Sequence, residues 1–345
     1  MTAQPGDCVK TFLATLAVAV PLALSGWASA ADIAPKPLYR DPVFDGAADV
    51  SIVYDRAAKL WKMFYTNRRA TMKLPDPKDV AWVHGTAIGV AASTDGVQWR
   101  YQGIAEFPKA CTDVTLWAPE IFYENGVYHM WLTIVPGIFH GWGVPGADGR
   151  IEHLTSTDLS KWKCEGTVNL DTGRVIDPTV VKIGQGYRMW FKDERAGSRI
   201  LAADSQDLRT WKKVSDQPVN PTKGEGPKVF RFKGYYWMVV DVWKGLMVLR
   251  SDDARNWTEQ PGYILGEPGH KATDRAKGQH ADVVVDGDRA FIYYFVHQVN
   301  EAEAATDARW NQRTVIQVAE LVFKDGWLDV DRDRDLAFRL SAPAP

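Results

Sequence analysis

Five acidic or imidazole side chains in this sequence have the types needed for acid–base chemistry. Each stands a similar distance before an aromatic segment, and they are Asp49, Glu120, Asp177, Glu225 and His280. Any one of them could be a solvated residue at the start of a strand, but five in matched places are harder to explain in that way. Converging carboxylates repel one another, which costs stability. The array therefore indicates a site for glycoside hydrolysis, for metal binding, or for both.

Glycoside cleavage assigns different tasks to different carboxylates. One carboxylic acid protonates the leaving oxygen, and an ionised carboxylate activates water from the opposite face. Glu225, enclosed by glycine and proline neighbours, is predicted to be held protonated and to act as the acid. Asp49 is predicted to be the base, and Asp177 to orient the acid and tune its pKa. Three carboxylates in these roles favour inversion of configuration.

A repeated motif points to the elements that position these residues. The pattern Ser-x-Asp-x-x-x-Trp recurs four times, and each copy is expected to be a turn whose Trp packs between repeats. The copies are STDGVQW (Ser93–Trp99), STDLSKW (Ser156–Trp162), SQDLRTW (Ser205–Trp211) and SDDARNW (Ser251–Trp257). Intervals of about 50 residues are typical of propeller blades.

A second pattern lies between these motifs and predicts strands. Aromatic residues surround a methionine after a short turn in KLWKMFYT, GVYHMWLT, GYRMWFKD and GYYWMVVD, and DRAFIYYFVH is a fifth version. Alternating aromatic and β-branched residues bounded by turn residues are strand signals. Five such units predict an all-β, five-bladed β-propeller. Residues 31–345 are interpreted as a single catalytic domain, with a strand near one terminus closing the fifth blade.

Composition excludes several other classes of protein. The chain has 345 residues, a formal net charge of −2 and 24% charged residues, so nucleic acid is not an expected partner. After the N-terminus no apolar run is long enough to span a membrane. Two of the three cysteines, Cys111 and Cys164, fall in the predicted domain, and the sequence leaves open whether they pair. A monomer is expected.

The N-terminus has the features of a secretory signal. Lys10 precedes an apolar run, and ASA at Ala28–Ala30 is a small-residue cleavage pattern. Residues 1–30 are therefore predicted to be a signal peptide that is removed, which places the mature protein in the periplasm or outside the cell.

Several short motifs resemble those of family 43 glycoside hydrolases and their relatives, which are five-bladed propellers. They are Ala48-Asp49, WAPE (Trp117–Glu120), IDP (Ile176–Pro178), EGP (Glu225–Pro227) and the histidine His280. The resemblance covers essentially all of the sequence after the predicted signal. It implies that Asp49 is the base, Asp177 the pKa-tuning residue and Glu225 the acid. Because Val50 replaces a proline common in the family, Asp41 and Asp45 remain alternatives for the base.

The resemblance also implies a substrate class and a set of contacts. Arabinofuranosides, xylosides or related glycans are the expected substrates, as oligosaccharides or polysaccharides, and no cofactor is required. In the family the last histidine often lies beside a metal ion or water cluster, so His280 is a candidate ligand for a structural calcium ion in the central channel. The candidate substrate-binding residues are Arg68, His84, Trp117, Glu120, Lys192, Trp243, Gln279 and His280. Many cations near the site would favour an anionic or heavily hydroxylated substrate.

Three other functions are alternatives on the same fold. A retaining enzyme of the fructosidase kind would need a nucleophilic Asp in an Asn-Asp-Pro-Asn-like opening, and YRDPVF at Tyr39 lacks the Asn. A glycoside phosphorylase needs one acid and a cationic phosphate site, for which Arg68, Arg69, His84 and Lys192 are candidates. A non-catalytic sugar-binding propeller would not need Asp49, Asp177 and Glu225 together. Whether cleavage is exo or endo depends on loops such as those from Val135 and Gly266, whose shape the sequence does not give.

Overall fold

Strands dominate the computed structural model, which describes residues 1–2 and 32–344. The described residues from Asp32 onward form one compact unit. The predicted signal peptide lies outside the described residues except for positions 1 and 2, and it stays a prediction. Within the part of the chain that is described, no helix has the length and apolar character needed to cross a bilayer.

Each blade is a four-stranded antiparallel sheet made of consecutive strands. Blade 1 contains β1 (Ala47–Asp55), β2 (Leu60–Asn67), β3 (Ala87–Ser93) and β4 (Arg100–Ile104). Blade 2 contains β5 (Thr115–Glu124), β6 (Val127–Val135), β7 (Arg150–Ser156) and β8 (Lys163–Thr167). Blade 3 contains β9 (Val175–Ile183), β10 (Gly186–Asp193), β11 (Arg199–Ser205) and β12 (Trp211–Lys213).

The remaining two blades follow the same plan. Blade 4 contains β13 (Glu225–Phe232), β14 (Tyr235–Asp241), β15 (Leu246–Ser251) and β16 (Thr258–Ile264). Blade 5 contains β17 (Gln279–Asp286), β18 (Arg289–His297), β19 (Thr314–Lys324) and β20 (Trp327–Val330). Short 3₁₀ turns occur at Ala81–Val83, Lys109–Cys111, Ala302–Ala305 and Trp310–Gln312.

The first strands of the blades surround a common axis. β1, β5, β9, β13 and β17 contact one another in a closed cycle, so their starts meet at one end of the central channel. The aromatic–methionine segments are the second strands, and their methionines are fully buried. The all-β, five-bladed propeller predicted from the sequence is confirmed, and the C-terminal strands β19 and β20 complete blade 5.

The Ser-Asp-Trp motif has the structural role that its repetition indicated. In blade 1 the Asp95 carboxylate accepts hydrogen bonds from two backbone amides, each at 2.8 Å, and Ser93 Oγ accepts a third. The motif's tryptophan in blades 2, 3 and 4 packs edge-on against an aromatic ring of the preceding blade. These residues therefore join turns and blades and lie away from the channel mouth.

An extra residue interrupts the pairing at the start of every first strand. These β-bulges lie between Ala48 and Ser51, Trp117 and Glu120, Ile176 and Thr179, Glu225 and Lys228, and Gln279 and Ala281. The first bulged residue has a left-handed backbone in blades 1 to 4, with φ between 41° and 56°. Bulges redirect side chains, and here they do so at the channel mouth.

Cys111 and Cys164 form a disulfide that ties the turn before β5 to β8. The bond thus lies within blade 2 and settles the pairing that the sequence left open.

Candidate active site

A cavity of about 660 Å³ opens at the end of the channel where the bulges meet. The predicted site residues that line it come from all five blades or from loops between their strands. They are Asp49, Arg68, His84, Trp117, Asp177, Lys192, Glu225, Trp243, Gln279 and His280. Ligand sites are commonly concave cavities of this size, so the structure gathers these ten residues into one candidate site.

The expectation that five polar residues occupy equivalent positions is wrong. The strand pairing makes Asp49, Asp177 and His280 equivalent, because each is the first bulged residue of its blade. Glu225 precedes its bulge and Glu120 follows one. The turn between the first two strands has two residues in blades 2 to 5 and four in blade 1, so the shifts at Glu120 and Glu225 arose because residues of similar type were matched at unequal distances from the aromatic segments. The shift takes Glu120 below the cavity, and its predicted contact with substrate is also wrong.

Asp49 is held by two cationic groups. Arg68 Nη2 donates to the two carboxylate oxygens at 3.1 and 3.3 Å, and His280 Nδ1 lies 3.3 Å from Oδ1. Burial would raise the pKa of Asp49, but Arg68 and His280 outweigh it and lower that pKa. Asp49 is therefore ionised, as a base requires. Asp41 bonds Tyr65 and Asn67, and Asp45 pairs with Arg40, so neither alternative lines the cavity.

Glu225 forms an ion pair with a buried lysine. Lys192 Nζ lies 2.9 Å from Glu225 Oε2, and the Trp243 indole donates to Oε1 at 2.9 Å. Burial favours the neutral acid, but Lys192 and Trp243 outweigh it and lower the pKa of Glu225. The prediction that Glu225 is held protonated is therefore wrong for the free protein. No pattern in the sequence indicates that Lys192 reaches Glu225.

Asp177 lies between the two neighbouring blades. Its backbone amide donates to Thr133 Oγ1 at 3.0 Å, and its Oδ2 accepts the Gly226 amide at 3.1 Å. Burial and the nearby Glu225 charge raise the pKa of Asp177 to about 6. Gly226 has φ +56°, and an added Cβ would meet the His280 ring at 2.4 Å, so glycine is required there. This packing brings Asp177, Glu225 and His280 together.

Sequence reasoning missed a fourth carboxylate, Asp241, which is fully buried opposite Glu225 in the β13–β14 pair. Its Oδ2 accepts hydrogen bonds from Gln279 Nε2 and from the His280 amide, both at 3.3 Å. Burial and the Glu225 charge raise the pKa of Asp241 to about 6. Aligning the aromatic–methionine strands would have found it, because Asp241 and Lys192 follow their methionines by the same interval.

Tryptophan side chains form much of the cavity wall. Trp82, Trp117, Trp142 and Trp243 line it, and Trp142 is 68% exposed. Trp117 Nε1 donates to the Val83 carbonyl, and the His84 ring lies 5.0 Å from the Trp117 ring. Such rings suit stacking against sugar faces. Trp142 belongs to the loop from Val135 that was expected to shape the pocket.

The cationic side chains that line the cavity are paired with carboxylates. Arg68 and His280 contact Asp49, Lys192 contacts Glu225, and Arg174 contacts Glu194. His280 is counted as a cation because its carboxylate neighbours, Asp49 above all, outweigh burial and raise its pKa to about 9. The charges are therefore balanced, and the expectation that many cations would favour an anionic substrate loses its basis.

Each first strand contributes one residue to a ring of five polar residues that lies within the channel, below the cavity. Its members are Ser51, Glu120, Thr179, Lys228 and Asp282, which occupy equivalent positions in the strand pairing. Lys228 Nζ lies 2.9 Å from both Glu120 Oε2 and Asp282 Oδ1. Glu120 also accepts hydrogen bonds from Thr179 Oγ1 and the Val180 amide.

The described residues do not fit the calcium ion that the resemblance implied. Calcium takes six to eight oxygen ligands, whereas the two channel carboxylates, Glu120 and Asp282, already contact the Lys228 ammonium. His280 Nδ1 lies 3.3 Å from Asp49 Oδ1, so this ring nitrogen already has a carboxylate partner. The metal assignment of His280 is not supported by this geometry. A water cluster in the channel stays a prediction.

Comparison with protein families gives one match over most of the propeller. A family model described as "Probable glycosyl hydrolase domain", related to glycosyl hydrolase family 43, matches residues 45–273. A relative from Mycobacterium tuberculosis (strain CDC 1551 / Oshkosh), uncharacterized protein MT1551, is 29% identical over 247 residues. That alignment covers 64% of this chain and 76% of the relative.

Solved structures share the fold at lower sequence identity. A thermostable family-43 glycoside hydrolase superposes with a TM-score of 0.64 and 17% identity, covering 88% of this chain and all of that one. A β-xylosidase/α-arabinofuranosidase of family 43 from a compost microbial metagenome has a TM-score of 0.61 and 14% identity. It covers 86% of this chain and 97% of that one. At these identities the likeness shows the fold alone.

Proposed function

Because the chain belongs to the "Probable glycosyl hydrolase domain" family related to glycosyl hydrolase family 43, we propose that it is a glycoside hydrolase that cleaves oligosaccharides with inversion of configuration. The observation that carries the proposal is the meeting of Asp49, Asp177 and Glu225 in one tryptophan-walled cavity. Export to the periplasm or beyond is part of the proposal, and the N-terminal sequence pattern supports it.

In this mechanism Glu225, once protonated, gives its proton to the glycosidic oxygen while Asp49 takes one from the attacking water. The C–O bond to the leaving group breaks as the bond from water oxygen forms, so one water is consumed and two sugars leave. Arg68 and His280 keep Asp49 ionised. Asp177, which accepts the Gly226 amide beside Glu225, orients that acid and tunes its pKa through its charge.

The balanced charges and aromatic walls favour a neutral sugar, and arabinofuranosides, xylosides or related glycans are the proposed class. A second cavity of about 570 Å³ shares Trp82, Gln279 and His297 with the first. We therefore propose a substrate of more than one sugar that extends past Trp82. Among the described residues that line the first cavity, no cation lacks a carboxylate partner, which weighs against a dedicated phosphate site there and hence against a phosphorylase.

The deciding experiment offers the protein, without residues 1–30, nitrophenyl glycosides and plant oligosaccharides, and follows the first-formed anomer by proton NMR. Release of the inverted anomer supports the proposal. A retained anomer contradicts the mechanism, and turnover that requires inorganic phosphate identifies a phosphorylase. Sugar binding without cleavage, measured calorimetrically, identifies a binding propeller.

A further inference from the structure

Lys192 breaks a pattern of hydrogen-bond acceptors around the cavity. In blades 1, 2 and 4 the equivalent second-strand residue accepts the amide of the first bulged residue in the next blade. The pairs are Thr66 with Ala118, Thr133 with Asp177, and Asp241 with His280, at 2.9, 3.0 and 3.3 Å. Lysine cannot accept a hydrogen bond, and the Gly226 amide donates to Asp177 instead. A charged donor has therefore replaced a structural acceptor beside the reaction centre.

Lys192 lies between two carboxylates. Its ammonium is 2.9 Å from Glu225 and 3.6 Å from Glu194, and its side chain is 7% exposed. The Trp243 ring, centred 5.7 Å away, covers one side of the ammonium. A shift toward Glu194 is short, and it would exchange one carboxylate partner for another without leaving the charge unpaired.

The contact with Lys192 opposes the task proposed for Glu225. A general acid has to carry a proton, whereas an ammonium at hydrogen-bond distance stabilises the carboxylate. A leaving-group oxygen that approaches Glu225 must also compete with Lys192 for the same carboxylate.

We propose that Lys192 is a positioning residue that keeps Glu225 ionised in the free protein and moves to Glu194 when a glycoside enters the cavity. Glu225 then takes a proton from solvent and delivers it to the leaving oxygen. After the reaction Asp49 returns to solvent the proton it took from water, so the number of protons is conserved. This inference rests on the proposed role of Glu225 as the proton donor.

The charges that face the pair are consistent with such an exchange. The negative charges of Asp177 and Asp241 disfavour ionisation of Glu225, and this repulsion is stronger when Lys192 withdraws. Asp49 and His280 form their own ion pair, and Arg174 shares Glu194. Removing Lys192 should therefore raise the pKa of Glu225.

The first test needs no turnover. Carboxyl ¹³C NMR of protein labelled at glutamate, with the Glu225 signal assigned from Glu225→Gln, gives the pKa of Glu225 in the wild type, Lys192→Met and Lys192→Arg. We expect Lys192→Met to raise that pKa by about one unit or more, and Lys192→Arg to change it much less. Equal pKa values in all three proteins, with unchanged thermal unfolding, would overturn the proposal even if no glycoside were cleaved.

The second test uses the pH dependence of hydrolysis. The profile of kcat/KM reports the free protein and that of kcat reports the complex. The basic limb, where Glu225 loses its proton, should lie at lower pH for kcat/KM than for kcat. In Lys192→Met the basic limbs of the two profiles should lie at the same pH. Glu194→Gln, which weakens the second partner, should lower kcat more than it changes KM. Coincident limbs in the wild type would contradict the exchange and leave the hydrolase assignment intact.

Discussion

The ammonium group of Lys228 donates to both carboxylate oxygens of Glu120, at 3.1 and 2.9 Å, inside the channel. The same ammonium pairs with Asp282 from blade 5. Through this lysine, first strands from blades 2, 4 and 5 are joined across the axis. The floor of the cavity is thus a network in which every charge has a partner.

Replacing Lys228 should destabilise the whole propeller. Lys228→Met leaves Glu120 and Asp282 buried without their cation, a change that typically costs about 3–5 kcal/mol. Denaturant unfolding of both proteins at pH 7 measures the loss. Lys182→Met is the matched control, because Lys182 pairs with Glu124 at the surface and such pairs contribute about 1 kcal/mol or less. Similar small losses in both variants would show that the ring does not support the fold.

Substitution of the proposed acid or base should lower activity far more than substitution of a nearby carboxylate outside the cavity. Asp49→Asn and Glu225→Gln should each lower kcat by about 10²–10⁴-fold, since each removes a proton-transfer group. Steady-state hydrolysis of an activated and an unactivated glycoside measures the effect. Asp45→Asn is the control, because Asp45 lies outside the cavity, and it should leave kcat nearly unchanged. Loss of activity in Asp45→Asn alone would reassign the base.

Stability should fall as pH rises past neutrality. His280 has a pKa of about 9 in the fold against 6.5 for an unperturbed histidine. Its stabilising contribution is therefore complete below pH 6.5 and is lost as pH approaches 9, by about 3 kcal/mol.

Urea unfolding at pH 6.5, 7.5 and 9 tests this dependence, and His280→Asn should flatten it. His270→Asn, which changes an exposed histidine bonded to Asp333, should keep the wild-type slope. An unaltered slope in His280→Asn would mean that another group is responsible.

Trp82 should matter for long substrates more than for short ones, because it lines both cavities. Losing one stacking contact of about 1.4 kcal/mol lowers kcat/KM tenfold. For Trp82→Ala we expect that loss on oligosaccharides and little change on a single-sugar nitrophenyl glycoside. Trp142→Ala, which affects the first cavity alone, should lower kcat/KM equally for the oligosaccharides and for the single-sugar glycoside. If Trp82→Ala also lowered kcat/KM equally for both, the proposal of an extended substrate would be contradicted.

The fold could be predicted from the sequence because its motifs are local and recur in several blades. The Ser93-x-Asp95 turn and the buried Met63 strand depend on neighbours within one blade, and similar turns and strands recur in the others. The site was predicted less completely, because its contacts join distant parts of the chain. Lys192 reaches Glu225, Lys228 reaches Glu120, and Trp142 reaches the cavity from a loop. The bulges at the strand starts also decide which residues face the cavity and which lie deeper in the channel, and the sequence alone did not show where the bulges fall.

The left-handed bulge allows the side chain at the channel mouth to change without a change of backbone. Ala118 adopts the same backbone at the mouth as Asp49 and Asp177, although its methyl group cannot react. The conformation is thus imposed by the architecture of the blades, and the side chain at each bulge is exchangeable. A descendant of this protein could acquire another acid at position 118, or lose one at 49 or 177, while its scaffold stayed the same. Changes in reaction within such a lineage would then require few substitutions.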